Sequence, residues 1–251
     1  MHSTFPYLPA GLSALDYALM GALIFAGACL QGIGGIGFAM LSAPLGALFF
    51  PQLVPGPLLA LGGCVSLLSA LREFRAIAWP LAGAALCGRA GGGLLAVAVI
   101  SSLRPEPLAV LFSVSILLAV AMSLLGWRVA ASTASLAVAG AASGFMGTIT
   151  SAGAPPFAIV MQHVAPERMR ATIGCILCGG AALSLAMLSV AGRFGAAEVR
   201  LGVALSPFLL AGFALSNRLR GRWSALAVRR LLLALCAAGA LGVLAKLAWP
   251  G

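Results

Sequence analysis

Two clusters of small and polar residues, and one arginine between them, hold most of the chemistry open to this chain. The first cluster is Gln31-Gly32-Ile33-Gly34-Gly35-Ile36-Gly37-Phe38, four glycines in six residues beside an amide side chain. The second is Ser143, Gly144, Gly147, Thr148, Thr150, Ser151 and Gly153. Glycines leave backbone N–H groups uncovered, and a helix that starts beside them turns its positive dipole end towards them. Gln31, Thr148, Thr150 and Ser151 add neutral donors, so the two clusters together suit a small oxyanion held without a permanent charge to trap it. Close helix packing through small-xxx-small patterns is the competing account. Arg89 is the third feature. It stands 13 and 14 residues inside the uncharged flanks of 76–103, about 20 Å from Arg75 at 1.5 Å per residue. A charge at that depth costs several kcal/mol and faces a cavity or a partner, unless its long stem lets it snorkel to the interface.

Other reactive types are few. Cys175-x-x-Cys178 fits a thiol–disulfide relay, although no proline or basic neighbour lowers either pKa and cysteine also serves as a small hydrophobe. His163 and Glu167 flank Pro166 and fit a proton-responsive pair, or simply a solvated loop. With two histidines in the chain and no carboxylate inside an apolar run, no metal site, phosphate loop or catalytic set can be assembled. An enzyme is not expected, and neither is a cofactor.

The elements that must position these residues lie in a membrane. The chain is 62% hydrophobic and 8% charged, with a mean hydropathy of +1.11. The 55 residues between Asp16 and Arg72 contain no Asp, Glu, Lys or Arg. About 20 apolar residues make one helical crossing of the hydrocarbon core. The charge-free runs 17–71, 76–103 (interrupted by Arg89), 107–127, 129–166, 171–192, 201–217 and 231–245 then give about eight transmembrane helices. No connector is long enough for a soluble catalytic domain. Met1 to Ala14 lacks the basic segment of a signal peptide, so the first apolar stretch reads as a retained span. All six cysteines fall in apolar stretches, away from any extracellular disulfide framework.

The net charge of +10 reflects topology, and no nucleic-acid partner is expected. Arg218, Arg220, Arg222, Arg229 and Arg230 form the densest patch and place that loop in the cytoplasm. Eight crossings then put both termini outside and divide the basic residues 8 to 6, with Arg104, Arg168 and Arg170 inside and Arg72, Arg75, Arg128, Arg193, Arg200 and Lys246 outside.

Residues 1–128 and 129–251 read as two homologous halves. Gln31-Gly32-x-x-Gly35 lines up with Ser143-Gly144-x-x-Gly147, and each is followed by proline, Pro44 or Pro155-Pro156. Residues 15–50 as one helix would reach about 54 Å, longer than a crossing needs. A span followed by a short half-helix fits better, and residues 132–162 pose the same problem. Glycine-rich broken segments at matching positions of two halves mark a transporter's binding site. If the short helices cross, the halves are inverted; if they re-enter, they are parallel.

At this point the pattern resembles the sulfite exporter TauE/SafE family of membrane permeases. That family has two related halves, each opening with Gly-x-x-x-Gly-x-x-Gly-x-Gly-Gly-Gly and a downstream proline. Here the first copy runs from Gly27 through Gly32, Gly34, Gly35 and Gly37 to Pro44. The second runs through Gly140, Gly144 and Gly147 to Thr148-Ile149-Thr150-Ser151, then Gly153 and Pro155. The likeness spans essentially the whole chain and implies transport of sulfite, sulfonates or related small anions. Two departures, Ile36 inside the first glycine run and Thr-Ile-Thr-Ser in place of the second, imply a substrate different from that of members with both triplets.

The expectation is an all-α integral membrane permease of the bacterial inner membrane. It binds a small anion between the two glycine segments and exports it by rocking one half against the other. A potential negative inside expels anions unaided, at about 2.3 kcal/mol per charge per 100 mV, and all five acidic residues lie at span ends. The alternatives are a membrane redox protein using Cys175 and Cys178, and a non-transporting assembly factor whose glycines only pack helices.

Overall fold

The computed structural model describes residues 13–124, 129–219 and 225–248. Met1 to Leu12, the proposed half boundary at residue 128, and Arg128, Arg220 and Arg222 lie outside the described residues. Every regular element described is a helix. The order is α1 (Ala14–Gly34), α2 (Phe38–Phe49), α3 (Gly56–Arg72), α4 (Trp79–Ser102), α5 (Pro105–Leu124), α6 (Thr133–Thr150), α7 (Pro155–Val160), α8 (Pro166–Val190), α9 (Ala196–Leu219) and α10 (Ala225–Ala248). A long helix, a break, a short helix and three long helices occur twice in succession. The described set thus holds eight helices of 17 to 25 residues and two of 12 and 6. Four of them, α1, α4, α8 and α9, are long and apolar enough to cross a membrane. Shorter apolar helical stretches occur at Phe38–Phe49, Gly56–Arg72 and Leu233–Val243.

Local chemistry sets the ends. The Ser13 hydroxyl accepts from the Asp16 amide and opens α1, with the Asp16 charge in the favourable first turn. α6 opens with a reciprocal cap between Ser132 and Ser135. Proline stands in the first turn of α3, α4, α7 and α8, where its missing N–H costs nothing. α1 stops at Gly35, left-handed at φ 80°, and α6 stops at Ser151, left-handed at φ 63°. The fully buried rings of Phe38 and Phe157 anchor the two short helices.

Glycine sets the spacing of the bundle. In lipid no hydrophobic force drives helices together, so close van der Waals approach through small residues does that work. A Cβ on Gly88 or Gly92 would lie 2.0 Å from the carbonyl oxygen of Ala137 or Ala141, and one on Gly140 2.1 Å from that of Ala85. α4 and α6 therefore run parallel, backbone on backbone. α1 and α9 do the same, through Phe25 against Gly212, Gly32 against Ser216 and the Tyr17 hydroxyl on the Ala204 carbonyl at 2.8 Å. α3 and α8 cross antiparallel, with Gly63 meeting Ala181 and Gly174 meeting Ser66 and Ala70. α8 runs parallel to α4, through Gly179 on Leu86 and Met187 on Gly93. α1 follows α3 towards the same end, where Gln31 meets Ser66 and Gly32 meets Arg72. It follows that α1 and α6 run in opposite directions.

This path corrects the assignment of basic residues to faces. Arg72 Nη1 donates to Asn217 Oδ1 at 2.8 Å and Arg170 pairs with Glu73, so Arg72, Arg75, Arg168, Arg170 and Arg218 share one face. Arg104, Arg193 and Arg200 lie at helix ends on the other, where Ile100 and Arg193 line a common space. The eight-crossing reading put Arg72 and Arg75 opposite Arg218 because it gave α2 no passage back across the bundle. From Phe38, beside Gly27 and Gly62, α2 returns to the Arg193 face, where Pro55 and Gly56 meet Ser151 and Phe194.

Candidate functional site

The two breaks lie on either side of one small cavity. Its wall takes Gln31, Gly37 and Phe38 from the first break and Ser151, Gly153 and Ala154 from the second. α3 adds Gly62, Gly63 and Ser66, α8 adds Leu177 and Ala181, and α4 adds Arg89. The space is about 30 Å³, room for about one or two waters.

Each break is pinned by a side chain of the helix that precedes it. Gln31 Oε1 accepts from the Phe38 amide at 3.2 Å, while its Nε2 donates to Ser66 Oγ at 2.8 Å. The amide thereby closes the chain around Gly35–Gly37 and ties it to α3. In the second break the Ser143 hydroxyl donates to the Gly153 carbonyl and accepts from Arg89 Nη1. The first turn of α2 lies beside the cavity, with Gly37 and Ala39 in its wall and the Phe38 amide taken by Gln31. α7 begins with Pro155-Pro156, one of which heads a six-residue helix, and prolines offer no N–H. Of the two short helices, only α2 therefore opens with residues that carry N–H groups.

Arg89 does not snorkel. It is 3% exposed in the middle of α4, turned inwards between α6 and α8. Its guanidinium lies in a cradle of glycines. A Cβ on Gly180 would fall 1.7 Å from Nε, one on Gly153 2.8 Å from Nη1, and one on Gly147 3.4 Å from Nη2. Nε has no hydrogen-bond partner. Among the described residues no ion pair reaches this side chain, whereas Arg170 pairs with Glu73 at 2.7 Å.

The other sequence candidates divide between bracing and packing. Gly32 packs on Ser216, Gly35 caps α1 against the Arg170 stem, and Gly34 faces open space. Gly144 packs against the Arg89 carbonyl, and Gly147 against Gly153. Thr148 bonds to Ser184 at 2.7 Å, and Thr150 bonds to the Met146 carbonyl at 2.7 Å. Of the candidates, Gln31, Gly37, Arg89, Ser151 and Gly153 line the cavity. The breaks also shift the pairing of the two segments. Gly35 and Ser151 are the matching caps, bonded to the Gln31 and Gly147 carbonyls, so the match of Gly35 to Gly147 is one helical turn off. Sequence reasoning missed Gly62, Gly63, Ser66 and Gly180. The glycine pairs on α3 and α8 were the available signal.

Both faces are closed over the cavity. Towards the Arg193 face, Ser151 Oγ donates to the Pro55 carbonyl at 2.9 Å. Beyond it opens an apolar vestibule of about 540 Å³, walled by Pro51, Val54, Pro55, Ile149 and Leu188 with Arg193. Towards the Arg72 face, the Gly35 turn lies under Arg170, which grips the Glu73 carboxylate with Nε at 3.1 Å and Nη2 at 2.7 Å. A recess lined by Arg72, Glu73, Arg75 and Glu167 lies on this side. Cys175 and Cys178 are free thiols outside the cavity wall, and His163 and Glu167 are solvent-exposed.

A family model described as "Sulfite exporter TauE/SafE" matches residues 19–243. No curated protein and no solved structure matches the chain.

Proposed function

The chain belongs to the sulfite exporter TauE/SafE family, and from that premise we propose that it is a permease that binds a small sulfur oxyanion beside Arg89 and releases it outwards. One observation carries this reading: a buried guanidinium, with Nε unpartnered and no carboxylate against it, lines a cavity between two helix breaks. An uncompensated charge at that depth costs several kcal/mol, and an anion removes the cost. A guanidinium also presents paired donors that match the oxygens of an oxyanion. The start of α2 and the Ser66 hydroxyl add neutral polar groups around it.

The two five-helix stretches are read as inverted repeats. The matched pairs α1 with α9 and α6 with α4 both run parallel, while α3 and α8 cross antiparallel on the pseudo-axis. In such folds one repeat rocks against the other around a fixed central site. A cavity with room for about one or two waters is too small for a four-atom oxyanion, so the breaks must part on loading. Ser151–Pro55 is the contact that opens one way, and the Gly35 turn under Arg170–Glu73 the contact that opens the other. The face richer in arginine is cytoplasmic by the positive-inside rule, which puts the apolar vestibule outside. The acidic residues on described helices all stand at helix ends, so no carboxylate couples a cation at mid-membrane, and the membrane potential alone drives the anion out.

The test is efflux of sulfite from proteoliposomes holding the purified protein, with and without an imposed potential, beside sulfoacetate, sulfate and acetate. Efflux of a sulfur oxyanion that grows with the potential and is lost in Arg89→Ala supports the reading. Absence of flux for every anion, from folded protein, overturns it.

A further inference from the structure

The charge balance of the cavity says more than that its ligand is an anion. Arg89 is the one ionisable side chain in the wall among the described residues; Gln31, Ser66 and Ser151 are its neutral polar companions. From the elements around it, α3 carries Arg72 and Glu73 at its far end, and α8 carries Arg170, Arg168 and Glu167 in its first turns. Glu73 is already engaged by Arg170. The thiols Cys64, Cys175 and Cys178 of α3 and α8 stay outside the wall. The site therefore holds one fixed positive charge, with nothing else to offset or reinforce it.

We infer that this cavity selects singly charged oxyanions, hydrogen sulfite and sulfonates, over the dianions sulfite and sulfate. The inference rests on the anion-permease reading above. A monoanion beside Arg89 leaves the closed cavity neutral. A dianion leaves one net negative charge in a buried space with no second cation in its wall, at the cost of any buried unpaired ion. Size does not separate these ligands, because each presents a compact sulfur centre with three or four oxygens. Charge does.

Flux measured in proteoliposomes of the unaltered protein decides the matter. Radiolabelled sulfite is followed at pH values on either side of the ionisation of hydrogen sulfite, in competition with methanesulfonate and with sulfate. Methanesulfonate stays a monoanion throughout, so its potency reports any titration of the protein itself. The expected result is constant inhibition by methanesulfonate and a fall in sulfite flux of about tenfold per pH unit above that ionisation. Sulfate should compete roughly a hundredfold more weakly than methanesulfonate. Sulfate competing as well as methanesulfonate, or sulfite flux that rises as the dianion forms, overturns the selectivity while leaving an anion permease. Lack of flux and of competition by every anion overturns both. Arg89→Lys, which keeps the charge, should keep the preference in the fraction that folds; a change to dianion preference there also overturns it.

Discussion

The two breaks use the same backbone device with different chemistry around it. Each long helix ends in a left-handed residue, Gly35 or Ser151, and each following short helix is anchored by a fully buried phenylalanine. On its cavity side the first break is neutral: the Gln31 amide closes the turn by accepting from the Phe38 amide and donating to Ser66, while Arg72 and Arg170 touch the break only from outside the cavity wall. The second break is closed by a serine that is itself held by a cation, and its short helix starts with prolines. The repeat can be registered to find what stands opposite that cation. Gly35 and Ser151 are 116 residues apart, and so are Phe25 and Ala141, whose carbonyls press on Gly212 and Gly92. Arg89 precedes Gly92 by three residues, and the residue three before Gly212 is Leu209, 1% exposed. Read as repeats, the two stretches share these packing contacts and differ in the charge. Packing demands fix both halves alike, so a difference that packing does not demand points to the ligand.

Making the two halves alike at this position should have the largest effect. In Arg89→Leu, sulfite efflux should fall by more than about a hundredfold, as expected when a charge-assisted anion contact is lost. The same protein should unfold in detergent at a higher temperature. Removing a buried charge that has no counter-ion relieves its desolvation cost, which outweighs the lost bond to Ser143. Lost efflux with gained stability is the signature of a residue kept for function. A variant that transports normally but melts earlier would make Arg89 a structural brace and erase the contrast.

A smaller effect should follow from filling the cradle. Gly180→Ala places a methyl 1.7 Å from the present position of Nε, so the guanidinium must move off its glycine bed. Overpacking of this kind costs about 1–3 kcal/mol and should lower efflux about tenfold. Gly34→Ala is the internal control: nothing lies within 4 Å of the added carbon, and both stability and flux should stay near those of the parent. Equal losses in the two variants would mean that glycine content matters, and the position of Arg89 does not.

The first break should be the more structural of the two. Gln31→Leu leaves the Phe38 amide and the Ser66 hydroxyl without their partner, at a cost of about 1–3 kcal/mol. Efflux per folded molecule should fall only a few-fold, measured beside the thermal midpoint. Complete loss of efflux at unchanged stability would place the ligand on Gln31 and make the first break the primary contact.

How much of this could be read from sequence depended on how local each signal was. The glycine cluster at 32–37 marked the first break because glycine is the residue that a left-handed turn and open amides require. The second break was found from its neighbourhood, and its cap is a serine; the glycines before it, Gly140 and Gly144, pack α6 on α4. That Gly-x-x-x-Gly spacing repeats every helical turn, and this let the two segments be paired one turn out of register. Arg89 was visible as a charge in an apolar run, but its direction depends on Ser143, Gly153 and Gly180, residues 54 to 91 positions away. Ser66 and Gly62-Gly63 of α3, and Gly180 of α8, were missed for the same reason, since two helices more than a hundred residues apart bring the first three to the cavity wall and the last to Arg89. The faces of the connectors at Arg72–Arg75 and at Arg104 were misread because a 12-residue helix carries too little apolar length to announce a passage across the bundle.

Exchanging the two caps should have the smallest effect, and it tests the comparison from its symmetric side. Ser151→Gly loses the bond to the Pro55 carbonyl, about 1 kcal/mol, and relieves a left-handed backbone that costs a residue with a Cβ about 1–2 kcal/mol. The two nearly cancel, so the thermal midpoint should barely move and efflux should stay within about threefold of the parent. Gly35→Ser is not its mirror image. It brings the same left-handed cost, and its Cβ would lie 2.5 Å from the Arg170 side chain that covers the turn. That variant should be the less stable of the two. If Ser151→Gly instead abolished efflux in a protein that still melts normally, its hydroxyl would be gripping the ligand. The asymmetry that matters would then lie in the caps and not in Arg89.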